Sequence, residues 1–355
     1  MTLIHLLIGL GGGGAESFLL EISKKIKENP GVEILVVTIT TIDTIAYKYE
    51  AEGIKYISLG MNNSKGFLKK FKIFLNILKS YDQCVVHAHM FHACMLAALA
   101  KFFRPKVRIV FTLHTNFVKQ KYRRILLFLT RKLRSEDIIF SADSKQWYHK
   151  ENSKVIANGI DTSKFNLINK HSEIFTFLFL GRLAEPKNPL FLIDLSNKLK
   201  DRFKFKILVA GDGSLRQELE ERIAKYKLQE YFSLLGFRDD IPCLFSQAHC
   251  LIMPSLWEGM PMAVLEAGAA GIPVISTPVG SIPTILNDKN AYLSNLEDFH
   301  LQMEEVILSY ETAIRKGNLL QDLIKKEYDI SSSARKHLKL YNKVLGIKSL
   351  VLSTT

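Results

Sequence analysis

Cysteine is scarce. The four in 355 residues (Cys84, Cys94, Cys243 and Cys250) include no C-x-x-C pair, which excludes a disulfide scaffold and fits reduced thiols in the cytosol. Long apolar runs are missing too, since none approaches the roughly 18 residues of a membrane-spanning helix. The opening MTLIHLLIGLGGGG has no basic residue ahead of its apolar run, so it reads as a first buried strand rather than a signal peptide. Acid is scarce in one half only. Residues 1–165 hold 25 Lys and Arg against 13 Asp and Glu, whereas residues 166–355 hold 23 against 22. Nearly all of the net charge of +13 therefore sits in the first half. Such asymmetry implies an anionic partner there: membrane headgroups, a phosphorylated lipid or nucleic acid.

What is present suits a globular enzyme. The apolar fraction of 47% can fill real cores, and the length suits about two domains. The most informative stretch runs from Leu251 to Gly280, LIMPSLWEGMPMAVLEAGAAGIPVISTPVG. An apolar run stops at Pro254, a loop follows, Pro261 sits where a first helical turn accepts it, and the helix closes at Gly271 before Ile272–Ser276. That is strand, loop, helix, strand, one unit of a parallel α/β sheet. Glu258 precedes the helix and Glu266 lies on it, seven residues between them. The free amides of a helix's first turn favour an anion, so a diphosphate flanked by sugar hydroxyls suits this arrangement.

E-G-M-P-M-A-V-L-E-A, with S-L-W-E-G before it and A-G-A-A-G-I-P-V-I-S after it, resembles the E-x7-E signature of retaining family 4 glycosyltransferases. The resemblance implies a GT-B fold: two Rossmann-like, doubly wound parallel-sheet domains facing across a cleft. Residues 1–165 would form an acceptor-binding domain and residues 166–330 a nucleotide-sugar-binding domain. A tail helix at about 331–355 would cross back to the first, and the polar stretch 166–173 reads as a linker.

The same likeness extends along the second half. Arg182 and Lys187, in G-R-L-A-E-P-K-N after the apolar run Phe175–Leu180, resemble the pair that grips the donor diphosphate. Cations at a strand's C-terminal end line the crevice where parallel sheets bind ligands, and a guanidinium matches phosphate bidentately. Gly211 and Asp212 match the family's G-D-G turn, and Phe237 its L-G-F-x-x-D-I segment near the nucleotide base. Gly259 and Met260 accompany Glu258 as donor contacts. After Gly280 the chain departs from the common G-I-P-E and reads Ser281-Ile282-Pro283-Thr284.

In the first half, Gly9, Gly11 and Gly14 match G-x-G-x-x-G, but the next strand ends in Thr40 and Thr41 where a dinucleotide site needs an acid. Gly13, Gly14 and Glu16 instead resemble the family's G-G-A-E loop, close to donor phosphates and acceptor. His114, in T-L-H-T, resembles the histidine that meets the donor sugar, and His89 the strand end facing the acceptor. His87, His89, His92 and His114 could form a metal cluster, since H-x-H puts two imidazoles on one strand face, though no acid accompanies them. Two basic amphipathic stretches, 66–80 and 119–134, read either as membrane-surface helices or as helices packed on the sheet.

The expected enzyme is an EC 2.4 hexosyltransferase that moves sugar from a UDP-hexose or UDP-N-acetylhexosamine to an undecaprenyl-diphosphate-linked saccharide, in capsule, O-antigen or exopolysaccharide synthesis. It would need no cofactor and no metal, since no D-x-D occurs and Arg182 and Lys187 can stabilise the leaving diphosphate. It would work as a peripheral protein on the cytoplasmic face of an anionic membrane, without nucleic acid. The rivals are a nucleotide-sugar epimerase on the same fold and a non-catalytic basic module binding membrane or nucleic acid.

Overall fold

The structure is a computed structural model that describes residues 1–63, 65–165 and 173–347. Most of the 166–173 linker and the end of the expected tail therefore lie outside the described residues. The chain divides into two compact units, one built from Met1–Gly159 together with the chain from Ile330 onward, the other from Ile160–Asp329.

Unit 1 alternates strand and helix: β1 Thr2–Leu7, α1 Gly14–Lys27, β2 Glu33–Thr38, α2 Ala46–Ala51, β3 Lys55–Ser58, α3 Phe67–Lys79, β4 Cys84–His89, α4 Met90–Phe103, β5 Arg108–Thr112, α5 Lys121–Leu129, β6 Glu136–Ile139 and β7 Lys154–Val155. Its seven strands are all parallel in the order β3-β2-β1-β4-β5-β6-β7. Strands such as Val85-Val86 and Ile109-Val110-Phe111 are apolar on both faces, as a sheet covered by helices on both sides requires.

Unit 2 repeats the plan with β8 Phe175–Leu180, α6 Phe191–Leu199, β9 Phe205–Ala210, α7 Arg216–Lys225, β10 Phe232–Gly236, α8 Ile241–Gln247, β11 Cys250–Met253, α9 Met262–Ala270, β12 Val274–Ser276, β13 Tyr292–Leu293, α10 Phe299–Leu308 and α11 Tyr310–Glu327. Its sheet order is β10-β9-β8-β11-β12-β13, again parallel. Both are the doubly wound Rossmann-like sheets of the GT-B plan. Helix α12, Ile330–Leu345, belongs to unit 1, where it packs on α1 and β4.

Strand order reverses between β1 and β4 in unit 1 and between β8 and β11 in unit 2. Connections leave such a switch point in opposite directions, opening a crevice at the strands' carboxyl ends where ligands bind.

Candidate functional site

On one side of the β8/β11 switch point of unit 2 the ends of β8, β9 and β10 are knitted by close backbone contact. Gly181 N–H donates to Ala210 O at 3.0 Å, Leu183 N–H to Asp212 O at 2.9 Å, and Gly211 N–H to Gly236 O at 2.7 Å. A Cβ on Gly211 would stand 1.9 Å from the Gly181 carbonyl oxygen, and one on Gly213 2.4 Å from that of Leu183. Only glycine allows the β8 and β9 loops to cross so closely. Asp212 serves this turn: it accepts from Gly213 N–H at 2.7 Å and pairs with Arg216 at 3.1 Å.

The β8 loop carries Lys187, whose Nζ lies 2.5 Å from Glu258 Oε1 on the β11 loop. Ser255 Oγ donates to the same oxygen at 2.7 Å, and Glu258 is only 7% exposed. The Glu258 loop is fastened from beneath. Thr277 Oγ1 donates to Ser255 O at 2.6 Å, and Ser281 Oγ donates to Gly259 O. Gly280, at φ +62°, passes so near that a Cβ would come within 2.2 Å of Glu258 O. Ser281, the departure from the common pattern, is thus a fastener of this loop.

Arg182 is exposed and its side chain has no hydrogen bond or ion pair among the described residues, so its guanidinium is available to a ligand. Helix α9 begins at Met262, with Pro261 as its cap rather than in its first turn. Glu266 lies on α9, partly buried. Burial pushes its carboxyl up to about 7, with the Lys187 charge pulling the other way. Met260 is buried, whereas Phe237 is 46% exposed. Helix α9 is seated on α11 through Gly268 and Gly317, where a Cβ would meet Ile324 at 2.5 Å and Gly271 O at 2.5 Å respectively.

The β1/β4 switch point of unit 1 is lined by imidazoles. Register sets His5 beside His87, and His5 Nδ1 lies 3.1 Å from His89 Nε2. His89 Nδ1 in turn lies 2.8 Å from His114 Nε2. His87 bonds Tyr341 Oη and Thr112 Oγ1, each at 2.8 Å. Desolvation, reinforced by neighbouring imidazoles, lowers His5 to about 3 and His114 to about 4, and holds His87 and His89 well below their ordinary value. The rings are therefore neutral at pH 7, and each carries one N–H. His89, bonded through both nitrogens, donates to one neighbour and accepts from the other. The chain of imidazoles runs from His5 through His89 to His114.

His114 itself holds φ +59°, and two other non-glycine residues with positive φ, Met90 and Asn188, directly follow His89 and Lys187. Such conformations cost about 1–3 kcal/mol each and cluster at functional sites. The ligating nitrogens of His5, His87 and His89 lie within 4.8 Å of one another, so the structure enlists His5, while His92 is exposed and stays apart. No carboxylate belongs to this group, so a buried divalent charge there would be uncompensated.

The glycine loop packs rather than cradles at its start: a Cβ on Gly9 would stand 2.7 Å from Ile42 Cβ, and Leu10 N–H donates to Ile42 O at 2.7 Å. Gly13 caps α1, Gly14 opens it and Glu16 sits in its first turn. Of the basic amphipathic helices, α3 gives Phe71, Phe74 and Leu78 to the core, while α5 buries only Leu127 and leaves Tyr122, Ile125, Leu126 and Leu129 exposed. No helix among the described residues is long and apolar enough to cross a membrane.

Sequence reasoning missed His5, Ser255 and Thr277. His5 had the weakest signal, a single polar residue in an apolar strand.

Comparison with known proteins matches each half to a glycosyltransferase family model. Residues 12–164 match the family model "Glycosyltransferase Family 4" and residues 174–309 match "Glycosyl transferases group 1". The chain is 28% identical over 254 residues to the Escherichia coli UDP-Gal:alpha-D-GlcNAc-diphosphoundecaprenol alpha-1,3-galactosyltransferase, covering 62% of this chain and 65% of that protein, just under two thirds of its length. It is 27% identical over 303 residues to the putative glycosyltransferase EpsF of Bacillus subtilis, covering 77% of this chain and 78% of the relative. In fold it matches Anabaena Alr3699/HepE, solved with UDP and glucose, at TM-score 0.86 and 19% identity, over 97% of this chain and 100% of the other.

Proposed function

This chain is a member of the family 4 glycosyltransferases, and from that premise we propose that it moves a hexose or N-acetylhexosamine from a UDP-sugar to a lipid-diphosphate-linked saccharide. The observation that carries the donor half is the β8/β11 crevice, where Lys187 is held on Glu258 and Arg182 is left exposed beside it. Arg182 and Lys187 take the diphosphate, and its developing charge on departure is stabilised by cations already in place. Glu266 accepts bonds from the nucleotide's hydroxyls. Transfer proceeds with retention: the acceptor attacks the face that the nucleotide leaves, and the departing phosphate takes the acceptor's proton. In unit 1, neutral His114, fixed through His89, gives the β1/β4 crevice an uncharged polar lining suited to sugar hydroxyls.

The acceptor and setting are proposed on two supports. The Escherichia coli relative is named for a diphosphoundecaprenol acceptor, and another relative lies in a Klebsiella pneumoniae cps region. Surface-polysaccharide assembly on the cytoplasmic face of a membrane suits both. Helix α5, with Arg123 and Arg124 among exposed Ile125, Leu126 and Leu129, is the proposed membrane contact.

The deciding experiment is thermal unfolding of the protein against a panel of nucleotide sugars, followed by NMR of the glycoside formed. A stabilising UDP-sugar, lost in Arg182→Ala, and a product with the donor's anomeric configuration are expected. Stabilisation that survives Arg182→Ala would remove the donor assignment, and an inverted product would remove the retaining course.

A further inference from the structure

A second basic site lies at the other end of the unit 1 sheet. Arg108 opens β5 and Glu136 opens β6, whereas His114 follows the far end of β5. At about 3.3 Å per residue the two ends of β5 are separated by roughly 15 Å. Between the strand starts, the end of α4 and the end of α12 is an open pocket of about 360 Å³, lined by Lys101, Arg108, Lys132, Arg134, Lys150 and Lys343 with Glu136 the one acid among its lining residues.

The charges in this pocket are not balanced. Glu136 is taken by Lys343 at 2.9 Å. Arg134, 1% exposed, is occupied away from solvent: its Nη2 donates to Leu127 O at 3.0 Å and Tyr148 O at 2.8 Å, and its Nε lies 3.3 Å from Asp137 Oδ1. Lys150 Nζ donates to Arg134 O at 2.8 Å, and Lys101 Nζ to Val107 O; both meet only neutral oxygens there. Arg108 and Lys132 are exposed, with no partner among the described residues. Burial first, and then the charge of Arg108, lowers the Lys101 ammonium below its ordinary value. Like charges gathered around one hollow repel unless an anion joins them.

We propose that this pocket binds a phosphate group, held by Arg108 and Lys132 with Lys101 and Lys150 beside them, at a site separate from the one where glycosyl transfer is placed. The pairing of guanidinium and lysine is that of phosphate recognition. The phosphate belongs either to a lipid headgroup or to a soluble phosphate compound. Exposed Phe102 and Phe103 follow Lys101 directly at the end of α4 and give the headgroup source an apolar anchor.

The test uses the full chain carrying Arg182→Ala, so that the unit 2 crevice does not compete. Inorganic pyrophosphate is titrated calorimetrically, and sedimentation is measured with phosphatidylglycerol and with phosphatidylcholine vesicles. Arg108→Glu with Lys132→Glu is compared in both assays; both positions are exposed, and thermal unfolding confirms that the variant folds. Expected is binding to at least one phosphate probe, reduced about tenfold or more by the double reversal, with sugar transfer to a soluble acceptor unchanged when the reversal is made in the wild-type background. Pyrophosphate binding assigns a soluble ligand, and binding to phosphatidylglycerol vesicles alone assigns a headgroup. Binding to neither probe, or binding that the double reversal leaves intact, overturns the proposal. A parallel triple variant, Lys69→Glu, Lys70→Glu and Lys72→Glu, separates the pocket from diffuse attraction: an equal loss there would also overturn it.

Discussion

Unit 1 closes the carboxyl ends of its central strands with imidazoles, and unit 2 closes them with glycines. The sheets share a plan, yet the two crevices are built for different demands. In unit 2 backbone crosses backbone at Gly181, Gly211 and Gly280, so charged side chains stand on a floor that has little room to shift. In unit 1 the floor is itself made of side chains, His5, His87 and His89, held by hydrogen bonds and by exclusion of water. A rigid floor suits recognition of a fixed group such as a diphosphate. Neutral rings buried without charge suit orientation of an uncharged sugar.

The sharpest way to break this comparison is to remove the cation from unit 2. Lys187→Ala should lower turnover about a hundredfold, the scale of one transition-state donor, and leave Glu258 buried without its partner. Steady-state rates with the identified UDP-sugar check this, and wild-type turnover would take Lys187 out of the site.

Acid should separate the units next. Histidines whose folded pKa lies below the ordinary 6.5 bind fewer protons folded than unfolded. The stability they protect is therefore present above pH 6.5 and lost as pH falls towards 4 and 3, where His114 and His5 titrate. Unit 1 should open first on acidification, read by hydrogen exchange of β1 and β4 against β8 and β11. His5→Phe should reduce that acid sensitivity. Simultaneous loss in both units would mean that the imidazoles do not set the acid limit.

Glu266 gives the opposite sign in unit 2. Its carboxyl is raised to about 7, so the folded state binds more protons and the cost of ionisation is complete only above pH 7. Glu266→Gln should cost about tenfold in turnover yet raise the melting temperature at pH 8, with no gain below pH 4. A variant less stable at pH 8 would show that Glu266 is held as a stabilising ion. The smallest expected effect is none: transfer should persist in EDTA, because Arg182 and Lys187 already supply positive charge. Loss restored by Mg²⁺ and not by spermidine would show otherwise.

The central strands of both sheets were legible in the sequence because they are largely apolar runs between turn signals, as at Phe175–Leu180 or Cys84–His89, whereas the short edge strands Lys154–Val155 and Tyr292–Leu293 carry no such run. The unit 2 crevice was legible because Arg182, Lys187, Glu258 and Glu266 stand in short motifs close to strand ends. His5 was not. Its role comes from sitting opposite His87 across more than eighty residues of chain, and no local pattern encodes register between distant strands. Nor was the different use of the two basic helices legible. Stretches 66–80 and 119–134 have similar composition, and only packing shows that α3 turns Phe71, Phe74 and Leu78 inward while α5 keeps most of its apolar residues outside.

Helix α12 carries a consequence for biosynthesis. Its Tyr341 hydroxyl bonds His87, and its Ser333 hydroxyl donates to Ala157 O at 3.0 Å, so the amino-terminal sheet is completed by residues translated after all of unit 2. Chains are made at about 5–20 residues per second and domains fold as units. Unit 2 has every strand it needs while still on the ribosome, but unit 1 must keep an imidazole-lined seam open for roughly ten seconds or more until α12 emerges. The first part of the protein to be made is the last to be finished.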